Sequence, residues 1–333
     1  MILACQNISK SYGITPILKN ISFHIEEKEK LAIVGINGSG KTTLLKIIMG
    51  EETADEGQIV LAKDTTIGYL SQHQDISFDN TIYNEMLDTK KYIIEMENRI
   101  RQLEYNMQQA KGEELEKILE QYNRLSNRYD LENGYAYESE IAGVLKGLGF
   151  DKSDYSRHIN TLSGGQKMRI ALGRLLLSRP DIIILDEPTN HLDMSSTAWL
   201  EGFLSSYPGS VIVVSHDRYF IDKIATKIVE IDNTKGTVYN GNYTYYSGKR
   251  AEIRASRMKA YLNQQAEIKH QEAVITKLKQ FNREKSIKRA ESREKMLDKI
   301  EVMEKPVEVA SEMRLTLTPA VESGNDVLTI TNL

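Results

Sequence analysis

The chain has 333 residues, with 43 Lys+Arg against 47 Asp+Glu and a formal charge of -4. An apolar share of 40% and a charged share of 27% provide for a folded core, and exclude a collagen, a disulfide scaffold and a wholly disordered chain. A single cysteine, Cys5, rules out an intramolecular disulfide and fits a reducing, cytoplasmic setting. The apolar runs fall far short of the ~20 residues that a membrane-spanning helix needs, so no span is expected.

Residues 31–34, Leu-Ala-Ile-Val, are the first of three continuous apolar runs; the others are 182–185 and 211–214. Continuous rather than alternating runs predict strands of a parallel sheet covered on both faces. The polar loops and helical patterns that follow them define an α/β class. Directly after the first run stands Gly35-Ile36-Asn37-Gly38-Ser39-Gly40-Lys41-Thr42, then the helical run that opens at Thr43. This is a complete G-x-x-x-x-G-K-[ST] loop in its strand-to-helix context. Its glycines let backbone N–H groups curl around phosphate oxygens, and the helix N-terminus adds partial positive charge. Lys41 offers a point charge to the β- and γ-phosphates, and the Thr42 hydroxyl a ligand for Mg²⁺. ATP and Mg²⁺ are therefore the expected cofactors.

Next comes a stretch of different character. Ile93, Met96, Ile100, Leu103 and Met107 step by 3 and 4, and after Lys111-Gly112 the steps resume at Leu115, Ile118, Tyr122, Leu125 and Tyr129. Two narrow apolar seams with a glycine between them predict an antiparallel helical hairpin, an arm over about 89–135. Helices packed flat on the core are the competing reading. The second apolar run ends in Asp186-Glu187, a strand-end pair suited to holding Mg²⁺ through Asp186 and polarising water through Glu187 as general base.

From 249 to 305 the composition shifts to 16 Lys+Arg against 9 Asp+Glu. Tyr261, Ile268 and Ile275 mark one helical stripe, and Ile287, Ala290, Leu297 and Ile300 a second. Two long helices with a short basic turn at 281–286 are expected. Arg283, Lys285, Lys288, Arg289 and Arg293 are the candidate RNA-contacting cations, opposed locally by Glu284 and Glu291 alone. A solvated hairpin without a ligand is the plainer alternative. Finally, Val327-Leu328-Thr329-Ile330-Thr331-Asn332-Leu333 echoes Ile2-Leu3-Ala4-Cys5-Gln6-Asn7-Ile8, as a first strand of a second copy would, with a C-terminal strand of the same domain the alternative.

Leu162-Ser163-Gly164-Gly165-Gln166, ahead of Lys167-Met168-Arg169, carries a specific resemblance. It is similar to the signature of ATP-binding-cassette (ABC) ATPases, and physically it is another helix N-terminus offered to an anion. The resemblance implies roles for further residues. Tyr12 corresponds to the aromatic that stacks on adenine, and Gln72 to the Q-loop glutamine that contacts Mg²⁺ and water, with Gln74 a competing choice. Asn190-His191-Leu192-Asp193 corresponds to the D-loop and His216 to the switch histidine.

Within that family the chain resembles the ABC-F class. The enlarged segment before the signature, the wording Asp186-Glu187-Pro188-Thr189-Asn190-His191-Leu192-Asp193 and the basic helical pair carry this. The resemblance implies a P-loop ABC ATPase domain over 1–250, a helical linker over 251–315 and the start of a second ABC domain over 316–333. It implies ribosome and tRNA as partners, with the linker near the exit-tRNA site. It also implies composite ATP sites, shared with a second cassette or with a head-to-tail copy. Two other ABC roles compete: a transporter's ATPase subunit, and a DNA-associated ATPase. The former has no need of a basic linker; the latter usually carries a far longer coiled coil.

Overall fold

The computed structural model describes residues 1–70, 80–280, 284–297 and 303. The chain divides into two compact units, Met1–Gly248 and Lys249–Leu333. The first unit opens with β1 (Leu3–Tyr12), β2 (Thr15–Ile25), β3 (Lys30–Val34), α1 (Lys41–Met49), β4 (Glu56–Leu61) and β5 (Ile67–Leu70). Five helices follow: α2 (Ile82–Asp88), α3 (Lys91–Met107), α4 (Glu113–Leu131), α5 (Tyr137–Gly147) and α6 (Gly164–Ser178). Then come β6 (Ile182–Asp186), α7 (Met194–Ser206), β7 (Ser210–Val214), α8 (Arg218–Ile224), β8 (Lys227–Asp232) and β9 (Lys235–Asn240). Helix α9 (Tyr243–Gln280) begins in the first unit, and α10 (Glu284–Leu297) belongs to the second.

Two sheets form the first unit. The six-stranded sheet runs in the order β5-β6-β7-β3-β8-β9, parallel except for β9, which returns antiparallel on β8. A three-stranded antiparallel sheet has the order β2-β1-β4. Strands β3, β6 and β7 are buried along their whole length, which explains their continuous apolar sequences. Their side chains alternate between two covered faces. Leu31, Ile33, Ile182, Ile184, Ile212, Val214, Val229 and Ile231 share one core with Leu44, Leu45, Ile47 and Ile48 of α1 and with the inner faces of β1 and β2. Helix α1 thus packs against residues of both sheets. Apart from the start of β1, the antiparallel sheet escapes sequence inspection because its strands alternate irregularly, with bulges after Cys5, Ile8 and Lys10.

Helices α3 and α4 pair as a hairpin. Ile93, Leu103 and Tyr129 are buried, the other seam residues half-buried, and the intervening positions mostly exposed. Gly112 (φ 62) caps α4 at the break between them. At the root of the hairpin, buried Lys90 pairs with Glu140 at 3.0 Å, and Arg179 Nη2 donates to the same carboxylate at 2.7 Å.

The second unit pairs α9 with α10. Arg293 Nη1 donates to Gln271 Oε1 at 2.6 Å, and the Met303 amide to Gln264 Oε1 at 2.7 Å. The partner number rises as α9 is followed backwards, so the two segments run antiparallel. One expectation is corrected: Glu284, Lys285 and Ser286 belong to the first turn of α10, not to the turn before it. Ile300 and residues 316–333, the expected start of a second ABC domain, lie outside the described residues.

Candidate functional site

Strands β5, β6, β7 and β3 are parallel neighbours, so Leu70, Asp186, Val214 and Val34 end along one edge of the sheet. In open parallel sheets this carboxyl edge is where ligands bind. The loop Gly35 to Gly40 leaves β3 there and enters α1. Gly35 is obligatory: a Cβ would stand 2.5 Å from Ser39 Oγ and 2.6 Å from the Ile231 carbonyl oxygen. Gly40 (φ 97) caps α1 in a left-handed conformation, and a Cβ there would meet Ile17 and Leu18 at 2.7 Å. Asn37 and Gly38 lie exposed at the loop crest, and Thr43 is half-buried in the first helical turn. Lys41 Nζ donates across the loop to the carbonyls of Gly35 at 2.9 Å and Ile36 at 3.1 Å. Burial lowers the Lys41 pKa, opposed by the negative charges of Glu187 and Asp186.

Thr42 Oγ1 donates to Asp186 Oδ2 at 3.1 Å, joining the first motif to the strand end of the second. Glu187 follows in a left-handed conformation (φ 51), unusual for a residue with a Cβ. Its amide donates to the Val214 carbonyl at 2.8 Å, which ties this turn to the neighbouring strand β7. The carboxylate turns toward the residue after next on that side. Glu187 Oε2 accepts from the His216 amide at 3.2 Å, and His216 Nε2 stands 3.5 Å from Oε1. Among the described residues, Glu187 Oε1 and Ser39 Oγ are buried without a hydrogen-bond partner. Burial raises the Glu187 pKa, partly offset by the His216 amide and imidazole.

The signature residues stand at the N-terminus of α6. Ser163 caps the helix: its Oγ accepts from the Gln166 amide at 3.3 Å, while Gln166 Oε1 accepts from the Ser163 amide at 3.1 Å. Ser163 and Gly164 are exposed, and a Cβ on Gly164 would meet nothing within 4 Å. Gly165 faces His191 of the loop before α7, at 3.6 Å from its would-be Cβ. The capping box thus holds Ser163 and Gly164 open to solvent on a fixed helix end, with Gly165 half-buried behind them. Asp193 Oδ1 accepts from the Ser196 amide at 2.7 Å and caps α7.

Tyr12, at the end of β1, is 52% exposed and donates its hydroxyl to Glu52 Oε1 at 2.6 Å. No motif marks Glu52, and 40 residues separate the pair, so the sequence carries no signal of it. Gln72, Gln74 and Arg283 lie outside the described residues. Lys285, Lys288, Arg289 and Arg293 share helix α10, remote in sequence from the loop at 35–42.

Donor chemistry fits Mg-ATP. An exposed loop crest, the free amides of the α1 N-terminus, Lys41 and the unpartnered Ser39 hydroxyl converge where phosphates would lie. Thr42 and Asp186 supply two oxygen ligands, and no cluster of three His, Cys, Asp or Glu stands among the described residues. That meagre set matches Mg²⁺, which keeps waters and takes substrate phosphates as further ligands.

A parallel sheet with this loop on β3, an acidic pair on β6 and a capped glycine-rich helix end on α6 is the architecture of an ATP-binding-cassette domain. A family model described as ABC transporter matches residues 18–190, and a second with the same description matches 229–316. The Bacillus subtilis ATP-binding protein YdiF is 42% identical over all of this chain and 52% of its own length. ABC transporter F family member 2 of Arabidopsis thaliana is 34% identical over 98% of this chain and 49% of its own. The energy-dependent translational throttle protein EttA of Mycobacterium tuberculosis is 33% identical over 75% of this chain and 44% of its own. The chain therefore belongs to the ABC family and, within it, to the ABC-F class. It spans about half the length of the curated relatives it matches.

Proposed function

We propose that this cassette binds Mg-ATP and hydrolyses it in composite sites completed by a second cassette, and that the protein acts on translation at the ribosome, in the cytoplasm. The observation that carries the hydrolytic part is the buried Glu187 carboxylate, fixed by the His216 amide beside the Thr42–Asp186 pair. When bound, Mg²⁺ neutralises charge on the phosphates as the terminal phosphoryl group transfers to water. The chain's residues do the rest. The loop amides and Lys41 hold the phosphates; Thr42 and Asp186 orient the ion; Glu187 takes a proton from the attacking water; His216 orients the end of the chain of phosphates. Gln72 is assigned to the ion and the water.

Ser163, Gly164, Gly165 and Gln166 would serve ATP held by the second cassette, since they present hydroxyl and amide donors outward on a fixed helix end. The translational reading draws support from the name of the relative EttA and from the paired helices α9 and α10, whose segment carries excess positive charge. The tip cations, Arg283, Lys285, Lys288, Arg289 and Arg293, are assigned to tRNA or ribosomal RNA phosphates. A transporter subunit is the second reading, since the matching family model bears that description.

Co-sedimentation of a Glu187→Gln variant with ribosomes tests the proposal. Retention that depends on ATP is expected; equal recovery in the unbound fraction with and without ATP would favour the transporter reading.

A further inference from the structure

The loop that leaves α1 turns back on β1 and builds a polar bracket around Tyr12. Gly50, left-handed at φ 73, ends the helix, and the chain reaches Glu52 two residues later. The Asp55 amide donates to the Ser9 carbonyl at 2.9 Å, and the Ser11 amide to Asp55 Oδ2 at 2.7 Å, so loop and strand are sewn together beside Tyr12. Lys10, largely buried, donates to the Thr53 carbonyl at 2.6 Å and pairs with Glu52 at 3.5 Å and Asp55 at 3.4 Å. Glu52 is thereby held by a cation while it accepts from the Tyr12 hydroxyl at 2.6 Å. The Lys10 ammonium also lies over the Tyr12 ring, 5.8 Å from its centre.

Such a bracket costs side-chain freedom at an exposed ring, and nothing in the core requires it. Its effect is to fix an aromatic face before a ligand arrives, which spares the ordering cost on binding. The hydroxyl is kept a proton donor: its hydrogen bond to Glu52 raises its pKa, and the Thr43 side chain opposes that rise.

We infer that Glu52, braced by Lys10, is a positioning residue for nucleotide binding, holding the Tyr12 ring in the orientation that stacks on the base. The inference rests on the reading of Tyr12 as the base-stacking aromatic. Glu52 touches no part of the ligand; it acts through the phenol. Removing the hydroxyl or the carboxylate frees the same ring, so the two losses are one loss. Base contacts weaken while phosphate contacts do not.

The test is a cycle of variants of the 333-residue chain, titrated calorimetrically with Mg-ATP and, separately, with magnesium tripolyphosphate, which has no base. Tyr12→Phe and Glu52→Ala are each expected to weaken Mg-ATP ~3–10-fold, the worth of one net hydrogen bond. The double variant should be no weaker than either single one, which marks a shared interaction. Glu52→Gln, which keeps an acceptor oxygen, should recover most of the affinity, and tripolyphosphate should bind all of these variants alike. A Tyr12→Leu chain separates the two claims. If it binds Mg-ATP as the parent does, the stacking reading falls and the inference with it. If Tyr12→Leu weakens binding while Glu52→Ala does not, stacking stands and the role of Glu52 is overturned. Equal loss of tripolyphosphate affinity in Glu52→Ala would also overturn it, since the bracket would then be supporting the fold of α1.

Discussion

Glu187 shows how much a single residue's setting decides. Its backbone is left-handed and its carboxylate buried, anchored by one amide and one nearby imidazole. Burial raises its pKa, so the carboxylate gains its proton at higher pH than an exposed glutamate would. A base works only when deprotonated, so hydrolysis falls as pH drops through this raised value. The acid limb of kcat/KM against pH, which reports the free enzyme, should therefore lie above the pKa of an exposed glutamate, and Glu187→Gln should lose it. The same variant should hydrolyse ATP ~10²–10⁴-fold more slowly, the usual worth of a general base, while binding nucleotide about as tightly as the parent. Unchanged turnover would remove Glu187 from the role. Lys41 makes the complementary case. Burial already disfavours its charge, and Glu187 and Asp186 offset part of that. Lys41→Ala should weaken Mg-ATP ~10–100-fold in a titration, as loss of a charged donor to phosphate does.

At the scale of elements, the hairpin of α3 and α4 is held mainly by its own seam. Its first and last turns are another matter: Lys90 is buried against Glu140, and a Cβ on Gly134 would stand 2.4 Å from the Tyr129 ring. A deletion bridging 94 to 128 with a short flexible linker spares both anchors. It should leave Mg-ATP binding intact and shift the cassette's Tm by only a few degrees, since little of the core is removed. Ribosome association should weaken if the hairpin is an arm. Collapse of the melt would show instead that these helices complete the core. The seam was legible because its period was regular; the anchors were not, because Lys90 and Glu140 are far apart along the chain and meet only through packing.

For the molecule as a whole, the proposed composite sites would take one half each from the loop at 35–42 and the signature at 162–166. The isolated chain should therefore show low ATPase activity that rises more than linearly with protein concentration, as head-to-tail pairing would require. Full turnover by a proven monomer would refute shared sites. The basic hairpin makes a separate prediction. Exchanging Arg283, Lys285, Lys288 and Arg289 for Gln should weaken ribosome binding and flatten its salt dependence, by ~0.7–0.9 in log–log slope for each phosphate no longer neutralised. Mg-ATP affinity should not change. Equal binding at every salt concentration would leave the cations without an RNA role.

The sequence by itself determined what is local. The loop at 35–42 was legible from its spacing between a strand and a helix, the strand-end Asp186-Glu187 from its pairing with that loop, and the signature from its resemblance to the ABC family. The buried strands β3, β6 and β7 were visible because two covered faces leave continuous apolar runs. Of the antiparallel sheet, only the start of β1 was legible, through its echo at 327–333; β2, β4 and the bulged pairing stayed hidden, because they depend on partners distant along the chain. Only the tertiary structure decided which distant groups meet. It brought Thr42 to Asp186, 144 residues on, and turned Glu187 toward the His216 amide. It also set Glu52 against the Tyr12 hydroxyl. Sheet order and the close packing of α1 against both sheets enforce these approaches, and no local pattern records them.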